Sequence, residues 1–478
     1  MAKQEKMTNY RWVICALLFF ATTINYLDRQ VLSLTWPNFI GPEFGWTNRD
    51  YGNITAWFSI LYAVCMLFAG RFVDWLDTKK GFLWAIGIWS IGACLHAFCG
   101  IATAGTLTDT WLFSFSGARE LIKTVGNVGQ VVNISVMFFI FSRFVLALGE
   151  AGNFPAAIKA TAEYFPKKDR AFSTSIFNSG STIGAMVAPA CILYIAAAWG
   201  WESAFLIIGA LGFIWMGFWV FFYKKPEAQP KVNAAELAYI QQDKDSYPST
   251  EDKIEKGQVH KLSFLDCFKF KQTWAFAFGK FMTDGVWWFY LFWMPKYLQS
   301  VFHLEGTAQV FPLTVLYTIV MLSVIGGWLP SYFVEKKGMN PYDGRMRAML
   351  IFAFFPLLAL FAQPLGSYSY WFPVVIIGIA AAAHQAWSAN IFSTVGDMFP
   401  KTAIATVIGI GGMAGGLASF FIQKGAGKLF DYAGETELTF LGYTGEPAGY
   451  FIVFIGGALA YLIGWVVMKS LVPKYKPV

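Results

Sequence analysis

Charged residues make up only 14% of this 478-residue chain, whereas a soluble domain averages about 25%. Histidine occurs four times. The six cysteines (Cys15, Cys65, Cys94, Cys99, Cys191 and Cys267) fall mostly in apolar stretches, without paired or metal-ligand spacing. This argues against a disulfide framework and against a metal site; Cys94 and Cys99, in one apolar run, read as packed core residues. No Gly-x-Ser-x-Gly, His-Glu-x-x-His or phosphate-binding loop occurs, which points away from an enzyme and from ATP-driven work. The net charge of +7 is scattered over short loops and describes no nucleic-acid surface. No cleavable leader is expected, because the basic N-terminus runs directly into a full-length apolar segment.

What the chain has in excess is apolar length. Hydrophobic residues are 56% of it and the mean hydropathy is +0.49, the composition of a polytopic membrane protein. It has room for about twelve spans of roughly 20 residues each. Six are expected at 12–35, 51–73, 82–104, 131–155, 171–198 and 203–223. Six more are expected at 273–297, 308–334, 347–363, 370–392, 402–424 and 448–469. The predicted architecture is all-α: a first six-helix bundle (1–223), a polar linker (224–272) with one short amphipathic helix near 234–244, and a second six-helix bundle (273–478). Two insertions, 105–130 and 425–447, interrupt the short-loop pattern. Arg71, Lys79, Lys80, Lys167, Lys168, Arg170, Lys336, Lys337, Arg345 and Lys401 all fall in loops on one side. By the positive-inside rule that side is cytoplasmic, with both termini, and the insertions lie outside.

The first span carries Asp28 and Arg29 side by side. Near a helix centre each costs about 2.5–3.5 kcal/mol on insertion scales. Either they snorkel to the headgroups, or they face a water-filled cavity in which Arg29 holds an anion and Asp28 takes up a proton. The fourth span adds Arg143 and Glu150, two helical turns apart on one face and too distant for an i,i+4 pair. The two halves also echo each other. Glu163-Tyr164-Phe165-Pro166-Lys167 returns as Asp397-Met398-Phe399-Pro400-Lys401 after the fourth span of each half, and the same offset carries Glu150 onto His384. Parallel repeats of this kind place a substrate site between them near the midplane.

On these features the chain resembles the major facilitator superfamily. Gly70, Asp74, Lys79 and Lys80 match that family's loop motif after the second span, while Trp75 and Asp77 stand where a basic residue and a glycine are usual. The motif implies a cytoplasmic charge network that holds the outward-open state, altered here by those two departures. Asn25-Tyr26-Leu27-Asp28-Arg29 looks like the first-helix motif of the anion:cation symporters, and Arg143 to Glu150 followed by Asn153-Phe154-Pro155-Ala156 is similar to their fourth helix. Phe177-Asn178-Ser179-Gly180-Ser181 and Ala383-His384-Gln385-Ala386-Trp387-Ser388 look most like the hexuronate branch, although aldonate carriers usually have Gln where Ser181 stands.

The resemblance implies a monomeric inner-membrane carrier that needs only the proton gradient and takes up a sugar-acid anion with protons. Arg29 offers a planar fork to a carboxylate. Asp28 and Glu150 are the candidate proton carriers, with Arg143 as exchange partner. Burial favours the neutral acid and a nearby guanidinium favours the carboxylate, a workable switch. An anion entering a negative-inside cell costs about 2.3 kcal/mol per charge per 100 mV, so one proton cancels the cost and a second drives uptake. Two protons per monoanion are expected. Tyr62, Asn178, Ser181, His384, Gln385 and Asn390 are candidates for the sugar hydroxyls, and Trp57, Trp287 and Trp288 for stacking on the ring. Gln385 and Asn390 could equally tie helices together, and His384 could be structural or a relay. Lys280 and Asp284 form either a self-neutralising pair or, through Lys280, a second anion contact. The glycines at 409, 411, 412, 415 and 416 suggest close packing or bending. The competing functions are an aldonate, aldarate or other organic-anion carrier of the same family, working by symport or exchange; an organic-anion or drug carrier running by exchange or facilitated diffusion, against which Asp28 and Glu150 argue; and a receptor, for which the linker is too small.

Overall fold

The computed structural model describes residues 6–242 and 263–478; the central part of the expected linker, 243–262, lies outside the described residues. Helix dominates for a solvent reason: in lipid a backbone satisfies its polar groups only within a helix or a closed barrel. Helix α1 (Tyr10–Thr35) runs on through a π-helical turn at Trp36–Ile40 and a last turn at Gly41–Phe44. Then come α2 (Asn48–Leu76), α3 (Thr78–Ala97), α4 (Cys99–Thr108), α5 (Phe115–Thr124), α6 (Val128–Glu150), α7 (Asn153–Tyr164), α8 (Lys167–Trp199) and α9 (Trp201–Phe222). After α10 (Ala234–Gln241) follow α11 (Lys271–Phe302), α12 (Val310–Val320), α13 (Ile325–Lys337), α14 (Pro341–Phe354), α15 (Trp371–Met398), α16 (Lys401–Glu435) and α17 (Glu446–Leu471). Among the described residues ten helical runs are long and apolar enough to cross a membrane, and the bent pair α3–α4 makes an eleventh. With α11, which carries Lys280, Asp284 and Lys296, the count is consistent with twelve.

Two bundles form. In the first, α1 packs on α8, and α3 on α6 and α9; in the second, α11 packs on α16 and α17, and α12 on α15. Their main seams are α2 against α16 and α8 against α12. The α3/α6 contact is so close that a Cβ at Gly149 would fall on the backbone of Trp89, so only glycine permits this crossing. At the end bearing the N-terminus, Glu236 of α10 accepts from the Tyr10 and Arg11 amides at 3.0 and 3.1 Å and from Arg11 Nη1 at 3.0 Å. A carboxylate there satisfies first-turn amides and complements the helix dipole, which docks the start of the linker onto α1.

Three expectations need correction. The span expected at 82–104 is broken: the His96 ring takes the Gly92 carbonyl four residues back, and the chain bends by 51° between α3 and α4. The span expected at 131–155 is present and runs further, over Val128–Tyr164, with a two-residue break after Glu150 and Pro155 in the first turn of α7, where a missing amide costs nothing. The insertion at 105–130 is largely helical: Arg119 of α5 clamps Glu43 at 3.1 Å and Glu202 at 2.5 Å, tying the ends of α1 and α9 together. The insertion at 425–447 is mostly helix too, because α16 continues to Glu435; only a two-residue hairpin, β1 (Thr439–Phe440) with β2 (Tyr443–Thr444), remains.

Candidate functional site

The charged residues of α1 and α6 meet inside the first bundle. Asp28, Arg29, Arg143 and Glu150 are each at most 3% exposed, which removes the snorkelling alternative. Arg29 turns its side edge to Glu150, donating from Nε at 3.0 Å and from Nη2 at 2.6 Å to the same oxygen, Oε2. Among the described residues Oε1 of Glu150 has no partner, neither carboxylate oxygen of Asp28 is hydrogen-bonded, and the same holds for Nε and Nη1 of Arg143. Around these lie the unpartnered amides of Asn25, Gln30 and Asn153. Buried polar groups are normally satisfied by protein, water or ligand, so so many together mark a polar chamber. With all four charged side chains ionised the chamber is neutral; a proton on either acid leaves it one positive charge in excess, ready for an anion.

An aromatic cage encloses Arg29. The guanidinium carbon lies 5.1 Å from the Tyr26 ring, 4.8 Å from Tyr62, 5.9 Å from Phe58 and 5.0 Å from Trp288. Three rings come from the first bundle, and Trp288 reaches over from α11. Tyr26 and Phe58 went unrecognised in the sequence, although their spacing was a usable signal: Tyr26 precedes Arg29 by three residues, and Phe58 precedes Tyr62 by four. Arg143 lies 5.1 Å from the Phe58 ring, so one aromatic serves both cations.

In the second bundle, Lys280 and Asp284 pair at 2.7 Å, and Lys280 lies 4.1 Å from the Phe392 ring. Lys280, Asp284 and Trp288 recur every four residues and share one face of α11, so the pair stands on the same stripe as the lid over Arg29. His384 bonds the Tyr461 hydroxyl through Nδ1 at 2.8 Å and stacks on Trp287 with ring centroids 5.5 Å apart. The remaining candidates scatter. Asn390 donates to the Gly326 and Ala386 carbonyls, both at 2.8 Å, and ties α15 to α13. Ser181 spends its hydroxyl on the Asn178 carbonyl at 2.7 Å, Asn178 is exposed on α8, and Gln385 is half-buried. Trp57 is not in the cage: it is 45% exposed and packs edge-on to Phe420 at 5.8 Å.

Among the described residues the hydrogen bonds between the bundles lie toward the end remote from the N-terminus, which is closed. Asn48 N and Arg49 N, at the start of α2, donate to the two oxygens of Asp431, both at 2.9 Å, so a carboxylate of the second bundle caps a helix of the first. Tyr51 donates to the Phe292 carbonyl at 2.9 Å, the Ser59 and Ser419 hydroxyls meet at 2.9 Å, and Gln299 reaches the Pro37 carbonyl at 3.0 Å. At the opposite end no hydrogen bond or ion pair joins the bundles among the described residues. Gly70 has open space around it, Lys79 donates to the Val220 carbonyl at 2.9 Å within the first bundle, and Asp77 pairs with Lys225 at the start of the linker at 3.5 Å. Lys80 is exposed, and the Asp74 side chain lies outside the described residues. Loss of a helix cap costs about 0.5–2 kcal/mol. Asp431→Ala is therefore expected to shift the closed-to-open ratio of this end roughly 2- to 30-fold toward open. Spin labels at Arg49 and Tyr432 check this through a new, longer distance population; an unchanged distribution would refute the capping argument.

Two helical bundles closed at one end over a buried ionic chamber define a membrane transporter rather than an enzyme. The chain belongs to the Major Facilitator Superfamily, whose model matches residues 18–422. It is 28% identical to the hexuronate transporter of Escherichia coli (strain K12), over 98% of this chain and 96% of that one. It is 27% identical to the galacturonate transporter of Dickeya chrysanthemi, over 70% of this chain and 86% of the relative. Its fold superposes on a D-xylose–proton symporter with a TM-score of 0.64 at 16% identity, covering 98% of each chain. Among the described residues no group of His, Cys, Asp and Glu is arranged to hold a metal ion.

Proposed function

We propose that the protein carries a hexuronate such as galacturonate or glucuronate into the cell together with protons, by alternating access. The observation that carries this reading is the buried Arg29–Glu150 pair beside the unpartnered Asp28 carboxylate, under a lid from the opposite bundle. The likeness to hexuronate and galacturonate transporters supports the substrate class. In this reading both termini are cytoplasmic, the closed end is outer, and the described state faces inward. The two bundles, 1–223 and 273–478, rock about the chamber, and 224–272 links them. A sugar-acid carboxylate takes the fork of Arg29, and Glu150, displaced, takes a proton. Asp28 supplies the second proton, and Arg143 holds whichever carboxylate is left charged. Tyr62, Trp287, Trp288, His384 and Gln385 line the ring and its hydroxyls, and Lys280 approaches the substrate from the second bundle. The open surroundings of Gly70 and the intrabundle bonds of Lys79 agree with a loop motif released in the inward-facing state. The carrier acts as a monomer and needs no cofactor.

The test is counterflow in proteoliposomes preloaded with galacturonate, with glucuronate, galactonate, glucarate and glutamate as competitors. Competition by the hexuronates alone is expected. Competition by aldonates or aldarates would keep a sugar-acid carrier and change its substrate, and no exchange with any of these anions would sink the proposal.

A further inference from the structure

Helix α16 has two working faces one residue apart. On one, a Cβ at Gly415 would fall on the Asp284 carboxylate and come within 2.9 Å of its Cγ, so this carboxylate fills the hollow left by the missing side chain. On the other, a Cβ at Gly416 would fall on Ala63 and within 3.0 Å of the Ser59 carbonyl, and Ser419 bonds Ser59 one turn further on. Asp284 is thus wedged directly behind the strip of α16 that seals the closed end against α2. What holds the wedge is Lys280, at 2.7 Å on the same helix. The pair is largely buried, with side chains 6% and 14% exposed. Removing the lysine from such a pair leaves an uncompensated buried charge.

We infer that Lys280 and Asp284 form an anion-sensitive lock on the α2/α16 seam, with Asp284 as the positioning residue that transmits occupancy of the chamber to the gate. This rests on the proposed reading, in which a substrate carboxylate draws Lys280 toward the chamber. In the empty carrier Lys280 keeps Asp284 seated against Gly415, and the seam stays shut. When an anion engages Lys280, Asp284 loses its partner, leaves the hollow, and α16 is free to slide off α2. The loaded carrier then reorients readily while the empty one reorients slowly. The arrangement thereby links gate opening to cargo and makes return of the empty carrier the slow step of net uptake.

The test compares wild type with Asp284→Asn, which keeps shape and removes charge, and with Gly415→Ala, which keeps every charge and expels the carboxylate. Hydrogen–deuterium exchange of segments 48–63 and 416–431 is measured in the reconstituted protein, with and without galacturonate. Without galacturonate both variants are expected to exchange about tenfold faster than wild type in these segments, with α3 and α6 unchanged. Galacturonate is expected to accelerate wild type and to add nothing in the variants. Equal protection in all three proteins overturns the lock, as does faster exchange spread evenly over α3 and α6. If galacturonate leaves wild type unchanged while the variants still differ from it, the hexuronate reading fails and the lock stands.

Discussion

Arg29→Lys is expected to lower galacturonate exchange by at least about 100-fold while leaving the protein folded. The positive charge survives; what is lost is the fork. Nε and Nη2 of Arg29 share one oxygen of Glu150 at 3.0 and 2.6 Å, and the plane of the guanidinium is held among Tyr26, Phe58, Tyr62 and Trp288. An ammonium is a compact point charge with no plane to hold and no parallel donors to offer a carboxylate. A hydrogen bond to a charged group is worth about 1.5–3 kcal/mol, so forfeiting the second donor, with poorer placement of the first, accounts for a loss of this size. Arg29→Met should behave differently. It strands the fully buried Glu150 without its partner, and breaking a buried pair costs about 3–5 kcal/mol, so thermal stability should fall as well as transport. Adding Glu150→Gln to Arg29→Met should restore most of the stability and none of the exchange. Proteoliposome exchange and thermal unfolding separate the two effects. Normal exchange by Arg29→Lys would show that charge alone suffices and that the fork is incidental.

The sequence carried the span pattern, the two-bundle plan and the four charged residues of the chamber, because each is a local signal: an apolar run, a charge inside it, a spacing on one helix. It did not carry their pairing. Arg143 and Glu150 share a helix face, but the partner of Glu150 is Arg29 on another helix, fixed by how α1 and α6 are held against their neighbours. Gly149 illustrates the difficulty, since its role exists only in the presence of Trp89. The second insertion was misread for a related reason. Gly425 and Gly427 look like loop residues, yet a Cβ at Gly427 would come within 2.5 Å of the Asn48 carbonyl, so that glycine marks a close helix crossing rather than a turn. The glycines of α16 are likewise packing surfaces at 411, 415 and 416, where added side chains would meet Phe276, Asp284 and Ala63. Tryptophan is uninformative by itself, because twenty are present. Trp288 lies over Arg29, Trp287 against His384, and Trp57 at the exposed seam, and only the rotation of α2 and α11 distinguishes them.

Glu150→Gln is expected to lower the attainable accumulation of galacturonate by about two to three orders of magnitude while preserving exchange of galacturonate for galacturonate. The carboxylate is fully buried, one oxygen receives both Arg29 bonds, and the other has no protein partner. A glutamine keeps the shape and can still accept from Arg29 through its carbonyl, but it neither binds nor releases a proton. In exchange the carrier shuttles between loaded states and needs no change of protonation, so this mode should survive. In net uptake each missing proton removes its share of the driving force, about 1.4 kcal/mol for one pH unit and about 2.3 kcal/mol for 100 mV. With both gradients present at those values, losing one proton lowers the attainable accumulation roughly 500-fold. Asp28→Asn provides the comparison. If two protons travel with each monoanion, either substitution alone leaves a one-proton carrier that is electroneutral, so its accumulation should still follow an imposed pH difference and no longer respond to membrane potential. Measuring labelled galacturonate against imposed pH and potential steps, separately, therefore counts the protons as well as locating them. Accumulation by Glu150→Gln that still follows membrane potential as in wild type would exclude Glu150 as a carrier of the transported proton and leave it a structural partner of Arg29.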